Sequence, residues 1–75
     1  MKLYELCRAV TEELERRYEN DAIGLVMAKG AMARETGFLV ALVGPKDPDD
    51  PEKIYKLKQA AANAGIILKD GSPTT

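Results

Sequence analysis

Histidine and tryptophan are absent from this 75-residue chain, and cysteine and phenylalanine each occur once. These absences exclude a good deal. One cysteine cannot form an internal disulfide, and without histidine Cys7 has neither the ligands for a thiolate zinc site nor an imidazole to activate it as a nucleophile. No apolar run approaches the roughly 18 to 20 residues of a membrane span, and charges interrupt Met1–Arg8 where a signal peptide would need its apolar stretch. The expected location is therefore cytoplasmic, with no membrane partner. Charge of one sign is lacking too. Eleven basic residues face twelve acidic ones, for a formal net charge of -1, so no basic footprint for nucleic acid exists.

What is present is a globular composition, 45% hydrophobic. A chain this short buries only about 60% of the surface its unfolded form exposes. With neither disulfide nor metal to reinforce it, self-association is the expected remedy. One α+β domain over 1–71 is expected, followed by a disordered tail at 72–75.

The segment from Phe38 to Leu68 reads as strand, helix, strand. Phe38–Val43 is apolar throughout, Gly44-Pro45 stops it, and Ile66-Ile67-Leu68 is a second apolar run. Between them a helix is expected from Pro51 to Ala64. Asp50 is its cap, Pro51 suits its first position, and Gly65 suits its left-handed end. Ile54, Leu57, Ala61 and Ala64 would form its buried seam, with Tyr55 at the edge. Upstream, Leu3, Leu6, Cys7, Val10, Leu14 and Tyr18 recur every three or four residues, which predicts a helix over Leu3 to Glu19. The pairs Glu12–Arg16, Glu13–Arg17 and Glu5–Arg8 would line its wet face.

Ala22 to Thr36 has two readings. In one it supplies a strand, with Ile23, Leu25 and Met27 alternating against Gly24, Val26 and Ala28, and turns back into Phe38–Val43 as a hairpin. In the other it is a helix begun by Asn20 or Asp21 and stopped by Gly37. Alanine and methionine favour helix, whereas Gly24 and Gly30 each cost about 1 kcal/mol there, and no clean stripe appears. The hairpin is preferred because a two-stranded sheet would cover the helices poorly. The expected fold is thus α-β-β-α-β, a three-stranded sheet with helices on one face, with α-α-β-α-β as the alternative.

Chemistry-bearing clusters are few. Asp47, Asp49, Asp50 and Glu52 are the densest oxygen ligands but lack the EF-hand spacing, and helix capping explains them better. Gly44-Pro45-Lys46 lies where α/β proteins often bind phosphate, without matching either glycine-rich fingerprint. Gly44, Lys46, Asp47 and Asp50 are thus a possible ligand turn. Lys29 and Arg34 could line a site if the hairpin forms, although a strand-edge lysine more commonly discourages aggregation.

Asp50-Pro51-Glu52, Gln59 and Ala64-Gly65-Ile66-Ile67 together resemble the closing segment of FdrA-type acyl-CoA synthetase proteins. There an Asp-Pro-Gln opens a helix ending in Ala-Gly-Val before a strand. The resemblance covers about a third of the chain, and Pro45 stands where that family has threonine. It implies a strand–helix–strand topology. No motif names a reaction, and no cofactor or metal is expected. The function expected is a non-enzymatic protein-interaction or regulatory module, homo-oligomeric or part of a larger assembly. The alternative is a small-molecule or acyl-CoA-related accessory domain using the Gly44–Asp50 turn. Phe38–Val43 is apolar on both parities and expects cover on both faces, so Leu39, Val43 and Met27 are the expected self-association contacts.

Overall fold

The computed structural model describes residues 2–66. Three α-helices and one short 3₁₀ turn make up the described chain: α1 (Leu3–Arg17), α2 (Ala22–Thr36), the turn Val40–Leu42 and α3 (Pro51–Asn63). No strand occurs among the described residues, so the expected α+β fold with its three-stranded sheet is not formed. The α-α-β-α-β alternative places its helices correctly but still requires a strand at Phe38–Val43.

α1 follows its stripe. Leu3, Leu6, Cys7, Val10 and Leu14 are buried, and Tyr18 packs at the margin. Beside the stripe the largely covered Glu13 binds Arg16 at 2.6 Å and Arg17 at 3.5 Å, and on the outer face Glu12 pairs with Arg8 at 3.4 Å rather than with the expected Arg16. Glu5 does not reach Arg8 as expected; it accepts the Lys2 backbone N–H at 3.1 Å.

α2 replaces the expected hairpin, and the signals at its two ends explain why. The Asp21 carboxylate accepts the Gly24 N–H at 2.8 Å, satisfying one free donor of the first turn. At the other end Gly37 takes the left-handed conformation, φ 84°, and donates to Ala33 O at 2.8 Å. Thr36, buried, ties this end down: its hydroxyl lies 2.9 Å from Met32 O and 3.0 Å from Phe38 O. The missing stripe has a physical cause. Leu25, Ala28 and Met32 face the core, while Ile23, Val26 and Met27 face solvent. Two apolar faces on opposite sides cancel in any search for one.

Phe38–Val43, expected as a strand, folds back on itself. Leu42 N–H donates to Leu39 O at 3.1 Å and Val43 N–H to Val40 O at 3.4 Å. With Ala22–Thr36 helical, no strand among the described residues receives its amides, and local turns satisfy two of them. Burial accordingly has a period of three rather than two. Val40 is buried and Val43 half-buried, whereas Leu39 and Leu42 are exposed.

α3 ends as its sequence indicates. Gly65 sits at φ 72°. Its N–H donates to Ala62 O at 3.0 Å, and the Ile66 N–H donates to Ala61 O at 2.9 Å. This paired arrangement closes the helix and drives Ile66 into the core. Ile66 was expected to open a strand; it serves as a hydrophobic plug. Ile67 and Leu68, the Lys69–Gly71 turn and the 72–75 tail lie outside the described residues. The buried seam is Leu57, Ala60 and Ala61 rather than one including Ala64, which is exposed.

α1 and α3 run in the same direction. Asp49, just before α3, accepts the Leu3 N–H at the start of α1 at 3.0 Å. At the far end Arg17 donates to Ala64 O at 2.8 Å and Gly65 O at 2.6 Å. Each helix thus caps the other. α2 packs against both, with Asn63 donating to Glu35 at 2.5 Å. The shared core is Leu3, Leu6, Cys7, Val10, Leu14, Met32, Val40, Leu57, Ala60, Ala61 and Ile66. No described helix is long and apolar enough to cross a membrane.

Candidate functional site

The expected ligand turn is occupied by structural bonds. Asp47 accepts the Gly44 N–H at 2.7 Å and closes the turn. Asp49 caps α1, and Asp50 accepts the Glu52 N–H at 2.9 Å at the start of α3. Lys46 is exposed. The three aspartates therefore hold backbone donors rather than surrounding a common point. Asp49→Ala and Asp50→Ala should each cost about 1 kcal/mol, visible as lower midpoints in urea titrations. Because each releases a different helix, the double variant should cost about the sum. Equal losses from Asp47→Ala, which caps neither helix, would contradict this division of labour.

Cys7 is buried, and desolvation pushes its thiol up to about 11 despite the opposing influence of Lys53. A thiol held protonated is a packing group and a poor nucleophile. Folding therefore opposes its ionisation. The unfolded chain releases the Cys7 proton near 9 and the folded chain near 11, so stability attributable to Cys7 is complete below about pH 9 and is lost as pH rises from 9 to 11. Denaturation titrations at pH 8, 9.5 and 10.5 should show a steeper loss for the wild type than for Cys7→Ala. Parallel pH slopes would show that Cys7 is not the group responsible.

Lys29 and Arg34 do not converge on one site. Lys29 lies 3.9 Å from Glu15 of α1. Arg34 is five residues on, roughly 140° around the helix, and its guanidinium extends along the outer surface toward Gly30. Lys53 sits 5.4 Å above the Phe38 ring, fastening the segment after α2 to α3.

The outer surface of α2 carries the distinguishing feature. Ile23 is 75% exposed, Val26 69% and Met27 68%. With Gly30, Ala31 and Arg34 they follow helical spacings of three and four, so all six lie on one face. Beside Gly30, on the side of α2 that turns toward α1, the surface dips into a groove of about 220 Å³ lined by Thr11 and Leu14 of α1, Lys29 and Gly30 of α2, and Leu39 and Leu42, among others. Leu39 and Leu42 at its rim are 60% and 74% exposed. Of the expected contact residues, Met27 is exposed on the outer face of α2 and Leu39 on the rim of the groove, whereas Val43 packs against the core. Sequence reasoning passed over Ile23, Val26, Gly30 and Leu42 as surface residues. For Ile23, Val26 and Gly30 the signal was the second three-and-four stripe, offset from Leu25, Ala28, Met32 and Thr36; Leu42, in the 3₁₀ turn, had none.

Gly30 has no internal explanation. A Cβ there would meet nothing closer than the Arg34 guanidinium, at 3.9 Å. An interior helical glycine costs about 1 kcal/mol relative to alanine, and here the fold gains no close packing in return. Gly24 differs, since a Cβ would collide with the capping Asp21 and with Tyr18.

No protein-family model, curated protein or solved structure matches the chain.

Proposed function

We propose that this chain is a non-enzymatic protein-interaction module acting in the cytosol, and that the outer face of α2 with the adjoining Leu39–Leu42 turn is its contact surface. The observation that carries this reading is the exposed triad Ile23, Val26 and Met27 on a helix whose opposite face already fills the core. A helix apolar all round expects cover all round, and α1 and α3 cover one side only. The Gly44–Asp50 turn lends no support to a small-molecule reading, because its carboxylates already hold backbone donors.

The magnitudes favour a reversible contact. Burying an exposed apolar side chain contributes about 1.5–3 kcal/mol, so three that are two-thirds to three-quarters exposed supply roughly 3–6 kcal/mol. A partner of equal apolar content doubles that, against an association cost of about 4–15 kcal/mol. Leu39 and Leu42 then decide the balance, which favours micromolar affinity over permanent assembly.

The test is a photo-reactive phenylalanine placed in living cells at position 27 and, as control, at exposed position 59 on α3. Cross-links to a protein from 27 and not from 59 are expected. No adduct from 27, or equal adducts from both, would overturn the assignment of this face.

A further inference from the structure

Resting on that reading, we infer that the partner is a second copy of this chain, docked through α2 against α2 in antiparallel orientation about a two-fold axis. The outer face is divided by size. Its N-terminal half holds the large residues Ile23, Val26 and Met27, and its C-terminal half holds Gly30 and Ala31. A parallel pair would set large against large and leave the small halves apart. An antiparallel pair centred between Ala28 and Lys29 sets Met27 beside Gly30, Val26 beside Ala31 and Ile23 beside Arg34, each pairing occurring twice. Such self-complementarity is what a two-fold interface requires. The gap at Gly30, unused by the fold, then receives the Met27 side chain of the other copy.

The charges agree with the same orientation. Between Ala22 and Ala33 the only charged residue of α2 is Lys29, which lies toward Glu15 and away from the outer face. The two ends differ in sign. Glu19 and Asp21 precede the helix, and Arg34 stands in its last turn. Antiparallel pairing brings each Arg34 to the acidic end of the other copy, whereas parallel pairing stacks like charges. The Leu39–Leu42 rim adjoins Gly30 across the groove on the Lys29 side of α2, and so lies at the edge of the helix–helix contact.

Sedimentation velocity of the purified chain from about 5 to 500 µM should show monomer giving way to dimer, with a dissociation constant of order 10 µM, as expected for a small reversible interface. Gly30→Gln separates the interface from the fold. It should raise the melting temperature of the dilute protein, because glutamine is the better helix former and open space adjoins Gly30. It should also weaken dimerisation at least tenfold. Orientation is read by disulfides with Cys7 left in place. Ile23→Cys with Arg34→Cys should cross-link two chains on mild oxidation, since within one helix those positions are about 16 Å apart. Ile23→Cys alone should not. A wild type that remains monomeric at 500 µM, a dimer indifferent to Gly30→Gln, or efficient cross-linking by Ile23→Cys alone would each overturn the proposal. A monomer that still forms adducts with a different protein from position 27 overturns only the second copy and leaves the contact face standing. A monomer with no adduct removes both.

Discussion

Leu57→Ala is expected to remove a third or more of the stability of the domain. Leu57 is fully buried on α3 within the single core cluster, together with α1's Leu3, Leu6 and Val10. Truncating such a leucine costs about 2–5 kcal/mol, the larger values arising where surroundings cannot collapse into the cavity. Here they have little means to do so. Ala60 and Ala61 are already small, and α1 and α3 are fixed at both ends by Asp49 and Arg17. The cost should therefore fall in the upper half of that range. A domain of this size has about 4–11 kcal/mol in total, and each kcal/mol moves its midpoint by about 4–8 °C. Melts followed by circular dichroism at low micromolar concentration should drop by 12 °C or more. Met27→Ala, at an exposed position, should stay within about 0.5 kcal/mol of wild type. A loss below 1 kcal/mol for Leu57→Ala would mean that the α1–α3 contact is not the centre of the core.

α1 and α3 were legible because each carries one apolar stripe; only α3 also has recognisable ends, and α1 stops at Arg17, two residues before the expected Glu19. Asp50-Pro51 and Gly65 mark α3 as plainly in the sequence as in the hydrogen bonds. α2 was not legible by the same test, because Leu25 and Met32 point one way and Ile23 and Met27 the other. Its decisive signals were local: Asp21 three residues before Gly24, and Gly37 at the end. Phe38–Val43 failed for a different reason. Six consecutive apolar residues have no period, so strand and turn read alike. A strand at Phe38–Val43 needs partners, and that need favours a hairpin over Ala22–Thr36; without the strand, the hairpin loses its support.

The candidate site shows the same limit. Capping by Asp50 could be read from adjacent residues, but the Asp49 bond to Leu3 spans 46 positions and depends on α1 and α3 being side by side. The sequence reading places Met27 and Leu39 on the open face of a sheet, and no strand forms among the described residues. The structure sets them apart: Leu39 lines the groove where the 3₁₀ turn meets α2, and Met27 stands exposed on the outer face of that helix. An exposed apolar face is nonetheless present, on α2 rather than on a sheet, at Ile23, Val26 and Met27.

Val26→Pro is the substitution expected to break α2, and its side chain makes the result easy to interpret. Val26 is largely exposed, so little packing is lost. It is the fifth residue of the helix. Proline there removes the N–H bonded one turn back and drives its ring against that carbonyl, at a cost of about 3 kcal/mol or more. Ala22→Pro offers the matched control. Ala22 is the first residue of α2, and the first helical bond is made by Leu25 N–H to Asp21 O at 3.0 Å. Its own N–H has no helical partner, and proline fits that position. Urea titrations at low micromolar concentration should therefore show near-wild-type stability for Ala22→Pro and a loss of about 3 kcal/mol or more for Val26→Pro. Val26→Ala should be neutral or slightly stabilising, because alanine is the better helix former once packing is not at stake. A hairpin strand would order these three variants differently: the alanine would be penalised for losing a β-branched residue, and the proline would matter only if the strand were internal. Equal losses from both prolines would place the start of α2 elsewhere, and with it the outer face that carries Ile23, Val26 and Met27.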